Sequence, residues 1–105
     1  GLELLTSEGR WIPVSPNPGE LVVNIGDMLQ RLTNGKLRST SHRVVNPPPE
    51  RRRFSRYSMP FFLHFRSDFL IEALPGTVPP GEEPKWPPIT ANDYLQERLR
   101  EIKLK

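Results

Sequence analysis

Short runs of apolar and β-branched residues, separated by turn residues, recur along much of this chain, and this pattern predicts β-strands. Residues 1–5 and 11–14 predict the two strands of a short hairpin. Residues 21–25 form a compact run with β-branched side chains, which favours a buried strand. Residues 37–45 and 54–65 predict two longer strands, so the chain is expected to be mainly β.

Turn signals separate these segments. Asn17-Pro18-Gly19 predicts a turn, because proline presets its own φ and glycine adopts the positive φ that many turns need. Asn34-Gly35 is the strongest reverse-turn signal in the chain and is typical of a hairpin. Residues 27–32 are compatible with a helical turn or a strand, and residues 69–74 with a further strand or an irregular return.

The pattern changes after residue 74. Six prolines fall between Pro75 and Pro88, and we expect this segment to be extended, because proline fixes φ and removes an amide donor. Both a plain spacer and a lid-like loop are compatible with it. Residues 90–93 fit the capping box that begins a helix. Apolar residues then recur at helical spacing, which predicts a C-terminal helix; they are Leu95, Leu99 and Ile102.

Composition agrees with part of a domain. A chain of 105 residues has room for one small core, burying about 65% of the unfolded surface. Hydrophobic residues make up only 35% of it, and there is no cysteine to form a stabilising disulfide. The absence of cysteine is compatible with a cytoplasmic protein, which is the location we expect. We expect no membrane partner, because no apolar run approaches the length of a membrane span and no signal-peptide pattern is present.

The formal net charge of +3 is concentrated in Arg51 to Arg53 and in Arg56. We interpret the arginine triplet as a solvated loop tip. Nucleic-acid binding needs aromatic residues interleaved with basic ones on a shared face. Near these arginines the chain offers only two aromatic residues, Phe54 and Tyr57. A nucleic-acid partner is therefore not expected, and a basic module with salt-sensitive binding is the weakest of three alternatives.

Two segments contain residues that could bind a metal and a carboxylate. A neutral imidazole such as that of His42 offers a nitrogen to a divalent metal, although a lone histidine on a strand is more often structural. Arg56 and Ser58 are two residues apart and share a strand face, where a guanidinium grips a carboxylate and a hydroxyl adds a further hydrogen bond. If the two strands pair as a hairpin, both groups face one cavity. A metal chelated by a dicarboxylic acid would fit there.

A longer pattern surrounds these residues. It consists of Gly9-Arg10-Trp11-Ile12-Pro13-Val14, then residues 18–27, residues 32–44 and residues 56–62. In order and content it resembles the C-terminal half of the Fe(II)- and 2-oxoglutarate-dependent dioxygenases, in particular the isopenicillin N synthase-like branch. The resemblance covers about residues 1–65 strongly.

The resemblance implies a fold and a division of the chain. The fold is the C-terminal half of a double-stranded β-helix (jelly-roll, cupin-like) with a C-terminal α-helix. Residues 1–74 would be the partial double-stranded β-helix, which holds the C-terminal strands of the oxygenase core. Residues 75–88 would be a Pro-rich connector and residues 89–105 the C-terminal helix. Asp27 is typical of the family at its position, and we expect it to make a turn hydrogen bond.

The resemblance also implies roles for three residues and two cofactors. His42 matches the distal metal-binding histidine, and Arg56 with Ser58 matches the pair that binds the distal carboxylate of 2-oxoglutarate or, in a few relatives, a substrate carboxylate. The implied cofactors are Fe(II) and 2-oxoglutarate. The family takes its other two metal ligands from an upstream His-x-Asp motif. That motif is absent here, because Val44 follows His42 and Arg66 follows His64 at the required spacing.

Two functions therefore stay open at this point. The first is the C-terminal portion of a non-haem oxygenase that hydroxylates or desaturates a small organic substrate with O2, and that is inactive alone because two of three metal ligands are missing. The alternative is a non-catalytic β-rich interaction module or subunit, which forms homo-oligomers through exposed sheet edges.

Overall fold

A computed structural model of the protein describes residues 1–104 and divides the chain into two compact units. The first unit consists of Gly1–Asn24 and Thr40–Phe61. The second unit consists of Ile25–Ser39 together with the residues from Phe62 onward. The three candidate site residues all belong to the first unit, and the C-terminal helix belongs to the second.

The first unit is built on a three-stranded antiparallel sheet. Its strands are β1 (Leu2–Leu5), β2 (Trp11–Pro13) and β3 (His42–Val44), in the order β2-β1-β3. The predicted hairpin between β1 and β2 is confirmed, and Gly9 closes it at a φ of 84°. The pairing of β3 with β1 was not predicted, because the sequence pattern had suggested a hairpin between β3 and the segment after it.

A tight turn follows the hairpin, as the sequence predicts. The backbone N–H of Glu20 donates to the carbonyl of Asn17 at 3.0 Å, and Gly19 lies at a φ of 85°. Proline before a glycine with positive φ is the arrangement of a type II turn. A side chain closes the same turn, because the carboxylate of Glu20 accepts from the backbone N–H of Asn17.

Two predicted strands do not form. Residues 21–25 and 54–65 have no strand pairing, and the strand predicted over 37–45 is shortened to β3. A strand exists only through hydrogen bonds to a neighbour, and none of the described residues pairs with either segment. Their apolar side chains are accordingly exposed rather than buried, as in Leu21 and Met59. A short 3-10 helix, Pro49–Arg51, lies between β3 and the second segment.

The second unit combines two helices with a two-stranded sheet. Helix α1 (Asp27–Leu32) packs on β4 (Leu70–Ile71), which pairs antiparallel with β5 (Ile89–Thr90), and β5 leads directly into α2 (Ala91–Glu101). Its most buried hydrophobic residue is Ile71, of which only 1% is exposed. Ala91 and Tyr94 on α2 are also buried, so this unit has a small core of its own.

Asn34-Gly35 ends helix α1 rather than joining two strands. The N–H of Asn34 donates to the carbonyl of Arg31, and the N–H of Gly35 donates to the carbonyl of Gln30. These are the two hydrogen bonds of a Schellman motif, which needs a residue with positive φ just after the helix. Asn34 supplies it at 51°. The predicted reverse turn is therefore present, and it follows a helix.

The Pro-rich segment is tied to the end of α1 by long-range hydrogen bonds. The buried side-chain amide of Asn34 donates to the carbonyl of Thr77 at 3.0 Å and accepts from the N–H of Lys85 at 2.8 Å. Arg31 donates to the carbonyl of Pro87 at 2.8 Å. The segment also contains reverse turns, one closed by Thr77, so the expectation that it is extended throughout was wrong.

The C-terminal helix begins where the sequence predicts. The hydroxyl of Thr90 accepts from the N–H of Asp93 at 3.2 Å, which satisfies one of the free amide donors of the first turn. Leu95 and Leu99 are half-buried, whereas Ile102 is exposed. No helix among residues 1–104 is long and apolar enough to cross a bilayer.

Candidate functional site

His42 lies on β3, on one face of the three-stranded sheet. It is opposite Leu4 in the register of β1 and β3, and Leu4 is opposite Ile12 of β2. Side chains that face each other across an antiparallel pair point to the same side, so His42 shares this face with apolar residues. Its side chain is exposed within the first unit.

A backbone carbonyl fixes which ring nitrogen of His42 is free. Nδ1 of His42 lies 3.1 Å from the carbonyl oxygen of Thr40. A carbonyl only accepts hydrogen bonds, so Nδ1 carries the hydrogen in this contact and the neutral ring presents a lone pair at Nε2. This is how metal-ligating histidines are oriented in proteins. The arrangement therefore suits His42 to bind a metal through Nε2.

The opposite face of the same sheet carries a charged and aromatic cluster. Arg43, next to His42 on β3, donates from Nε to the carboxylate of Glu3 at 3.0 Å and forms an ion pair with it, in which Nη2 lies 2.9 Å from the carboxylate oxygen. Its guanidinium also lies 4.1 Å from the centroid of the Trp11 ring. Each strand of the sheet contributes one residue to this cluster, which sequence reasoning did not find.

Arg56 and Ser58 lie in the segment without strand pairing, and both are exposed. Neither side chain makes a hydrogen bond or an ion pair within residues 1–104. Their neighbours Tyr57 and Met59 are 91% and 94% exposed. The predicted hairpin with β3 is absent, so the described structure does not place this pair on a common strand face with His42. The guanidinium and the hydroxyl are nevertheless free to bind an anion.

The residues present do not make a complete iron site. Among residues 1–104, no group of three histidine, cysteine, aspartate or glutamate side chains is arranged to hold a metal ion. His64, the second histidine, belongs to the second unit, where it stacks on Phe62 with ring centroids 6.0 Å apart. It also lines an open cleft of about 140 Å³ beside Met28 and Leu95. The described chain therefore offers iron one imidazole, that of His42.

Asp27 has a larger structural role than the expected turn hydrogen bond. Its Oδ2 accepts from the hydroxyl of Tyr94 at 3.2 Å and pairs with Arg98 at 3.0 Å, which links α1 to α2. Burial raises the pKa of the Tyr94 phenol above its usual value, and the nearby charge of Asp27 raises it further. Tyr94 lies 67 residues from Asp27, so no local sequence signal reveals this link.

Comparison with known proteins agrees with the resemblance. The sequence profile of the 2OG-Fe(II) oxygenase superfamily matches residues 1–65. The crystal structure of a putative 2OG-Fe(II) oxygenase family protein from Caulobacter crescentus is 59% identical, with a TM-score of 0.88 over 97% of this chain and 34% of that protein. A full-length Neurospora crassa protein, solved in complex with alpha-KG and thymine, is 31% identical, with a TM-score of 0.78 over 97% of this chain and 31% of its own.

A curated relative gives the same result. The 2-oxoglutarate-Fe(II) type oxidoreductase hxnY of Emericella nidulans is 39% identical over 97 residues, which are 91% of this chain and 27% of the relative. The chain thus spans about a quarter to a third of the length of the proteins it matches.

The structural neighbours confirm the predicted fold class. They are jelly-roll oxygenases, and this chain corresponds to a C-terminal part of that fold with its C-terminal helix. The isopenicillin N synthase-like branch is consistent with these relatives. A profile that covers more than half of the sequence, together with relatives of this identity, is decisive. The chain belongs to the 2OG-Fe(II) oxygenase superfamily.

Proposed function

We propose that this chain is the C-terminal portion of a non-haem Fe(II)/2-oxoglutarate-dependent oxygenase that hydroxylates or desaturates a small organic substrate with O2. The observation that carries the proposal is the orientation of the His42 ring. Its Nδ1 donates a hydrogen bond to the carbonyl of Thr40, which leaves the lone pair of Nε2 free. Family membership supplies the reaction class. We also propose a cytoplasmic location, in keeping with the absence of cysteine.

In this proposal His42 is one of three metal ligands. Bound Fe(II) supplies the redox chemistry of the family, and the chain itself contributes one neutral imidazole held in a fixed tautomer. The other two ligands come from outside the described residues, because no group of three histidine, cysteine, aspartate or glutamate side chains within them could hold a metal ion. The chain alone is therefore catalytically silent.

Arg56 and Ser58 are proposed to hold the distal carboxylate of 2-oxoglutarate. A guanidinium binds a carboxylate through two parallel hydrogen bonds, and the hydroxyl of Ser58 donates a third. Support comes from the free state of the pair, since neither side chain is engaged within residues 1–104. The Neurospora crassa protein, which is similar over the same region, was solved with alpha-KG, the same dicarboxylate. The thymine in that structure supports a small-molecule substrate for this protein too.

A chimera tests this function directly. The matched third of the Caulobacter crescentus protein is replaced by this chain, because the two are 59% identical there. Binding of 2-oxoglutarate is measured by calorimetry with Ni(II), which does not turn over, and succinate release is measured with Fe(II). We expect His42→Ala to lower metal affinity by at least a factor of about 100, because one of three protein ligands is lost.

The carboxylate pair is tested in the same chimera. Arg56→Met is expected to weaken 2-oxoglutarate binding by a factor of about 100, which corresponds to the loss of a charged hydrogen-bonded pair. Arg51→Met is the matched control, because it removes the same charge from the short 3-10 helix. Equal losses from both variants would contradict a specific role for Arg56. Turnover by the 105-residue chain alone at the rate of the chimera would refute the proposed incompleteness.

A second candidate is an interaction module that forms homo-oligomers through its sheet edges. The observation that favours it is the exposure of apolar side chains in unpaired segments, with Leu21, Val23 and Phe61 largely open. Strands β2 and β3 are both edge strands, and edges pair readily with another chain. Size-exclusion chromatography with light scattering distinguishes the two candidates. A monodisperse monomer at high concentration would count against this module.

A further inference from the structure

We propose that Arg43 is a positioning residue for His42, and that it acts through Glu3 and Trp11 on the far face of the sheet. This inference rests on the proposed metal-binding role of His42. Arg43 does not touch that face itself, because neighbouring side chains on a strand point to opposite sides. It fixes the direction of β3, and the direction of β3 decides where His42 points.

The cluster joins all three strands through one guanidinium. Glu3 on β1 accepts one hydrogen bond from Nε of Arg43 at 3.0 Å, and Nη2 of Arg43 lies 2.9 Å from the same carboxylate oxygen in an ion pair. Trp11 on β2 lies under the same group, with its ring centroid 4.1 Å from the central carbon of the guanidinium. A planar guanidinium can make both contacts at once, because its edge meets the carboxylate while its face lies on the ring, whereas a lysine ammonium has no such face.

The short length of β3 makes such an anchor necessary. The strand has three residues, and three further backbone hydrogen bonds extend its pairing with β1: Leu5 donates to Ser41, Val45 donates to Gly1, and the amine of Gly1 donates to Val45. A slip of one residue in a strand moves every side chain to the other face. In β3 that slip would bring Arg43 to the apolar face and remove His42 from it. Glu3 and Trp11 oppose the slip, because both lose their partner when it happens.

The same anchor supports the tautomer of His42. Nδ1 meets the Thr40 carbonyl only while residues 40–42 keep their present backbone course. A β3 strand that detaches from β1 would let residues 40–42 leave this course and would break the hydrogen bond for part of the time. The ring would then sample both neutral tautomers, and Nε2 would no longer be held ready as the free nitrogen.

The test uses the 105-residue chain with 15N-labelled histidine. Imidazole 15N chemical shifts report which nitrogen of His42 carries the hydrogen, and His64 serves as an internal reference. In the unmodified chain we expect His42 to be protonated at Nδ1 in its neutral form. Arg43→Met should shift it towards the tautomer mixture of an unconstrained histidine peptide, and Arg43→Lys should give a smaller shift.

Two further variants guard against loss of folding and against a simple charge effect. Glu3→Gln removes one charge but keeps the shape of the side chain, so it tests the cluster even if Arg43→Met loses the sheet. Arg10→Met is the matched control, because the exposed Arg10–Glu8 pair sits at the hairpin tip of the same unit and does not cross strands. The inference is overturned if Glu3→Gln and Arg43→Met leave the His42 signals unchanged, or if Arg10→Met changes them as much.

Metal affinity in the chimera gives a second readout. Arg43→Met should weaken Ni(II) binding by about tenfold, the lower end of what loss of an outer-shell partner costs, and Arg10→Met should leave it unchanged. If the unmodified chimera binds no metal while the tautomer still depends on Arg43, the proposed function fails and the positioning role stands. If the unmodified chimera binds metal, and all variants have the same His42 tautomer and the same Ni(II) affinity as the unmodified protein, the positioning role fails and the proposed function stands.

Discussion

The two units of this chain are stabilised in different ways. The second unit buries Ile71 and Tyr94 in a core of its own, and side chains hold it together over long sequence distances. The first unit, all of which the structure describes, contains no buried hydrophobic residue and leaves Leu21, Val23 and Met59 largely exposed. All candidate site residues lie in the first unit. The residues proposed for function thus belong to the unit without a buried hydrophobic residue.

This difference has a physical reason. A residue that binds a metal or a carboxylate must keep polar atoms free, so it contributes few internal contacts. Its surroundings must then be held by other contacts, as Arg43, Glu3 and Trp11 do on the far face of the sheet. The second unit contains none of the residues proposed to bind a ligand. Its polar side chains therefore make internal hydrogen bonds, as the amide of Asn34 does. The predictions that follow test this division of roles.

The largest effect is expected for Ile71→Ala. Only 1% of Ile71 is exposed, so the change should lower the free energy of unfolding by about 3 kcal/mol through lost burial and a cavity. Urea unfolding followed by Trp86 fluorescence, in a Trp11→Phe background, measures this. Val44→Ala is the matched control on exposed β3 and should cost less than about 0.5 kcal/mol. Equal losses would mean that the units do not differ in this way.

Asn34→Ala should come next, with a loss of about 2 kcal/mol. It leaves the carbonyl of Thr77 and the N–H of Lys85 without their side-chain partner, and the loss of each of these part-buried hydrogen bonds costs about 1 kcal/mol. Asn34→Gly separates this from backbone strain, since glycine accepts the positive φ of 51°. Hydrogen exchange at the Lys85 amide is the second measurement. Unchanged exchange in both variants would show that the amide does not hold the Pro-rich segment.

Tyr94→Phe should cost about 1 kcal/mol at neutral pH, because it removes the hydrogen bond to Asp27. The loss should depend on pH. Burial raises the pKa of Tyr94 above its unfolded value of about 10, so the folded state holds this proton more tightly. Stability from this group is full below pH 10 and falls as pH rises through the folded pKa.

The difference between unmodified chain and Tyr94→Phe should therefore shrink in strongly alkaline solution. Tyr57→Phe is the control, because Tyr57 is exposed in the first unit and its removal should change stability little at any pH. Urea midpoints measured between pH 7 and pH 11.5 are sufficient. A difference that grows with pH would contradict the sign of the shift.

The smallest effect is expected for His42→Gln. His42 is exposed and makes one hydrogen bond, to the Thr40 carbonyl, so stability should change by less than about 0.5 kcal/mol. The same variant should remove metal binding from the chimera. A loss of stability comparable to that of Asn34→Ala would show that His42 is structural, and the proposed metal role would lose its main support.

Local signals in the sequence predicted part of the fold. The β1–β2 hairpin, the turn at Asn17-Pro18-Gly19 and the start of α2 at Thr90 depend on neighbouring residues, and all three are present. Residues 21–25 and 54–65 have strand-like sequences, but a strand also needs a partner, which a local pattern does not reveal. The strong signal at Asn34-Gly35 was correct about positive φ and wrong about the element it ends.

The candidate site was reached from the family pattern rather than from chemistry alone. The resemblance assigns roles to His42 and Arg56, which lie within the region that the family profile matches, and these roles are proposals. Sequence reasoning missed the contacts of Arg43 with Glu3 and of Tyr94 with Asp27, which join residues 40 and 67 positions apart. Contacts over such separations leave no periodic pattern in the sequence, so only the folded chain reveals these two contacts.

The link between Asp27 and Tyr94 has a consequence for synthesis on the ribosome. Residues 25–39 emerge before their partners in the second unit, which begin at Phe62 and include Tyr94. The contact between Asp27 and Tyr94 cannot form until Tyr94 has left the exit tunnel. The apolar residues of the second unit therefore stay exposed while the intervening residues are translated. Slow closure of such distant contacts makes this interval the period of greatest risk of aggregation.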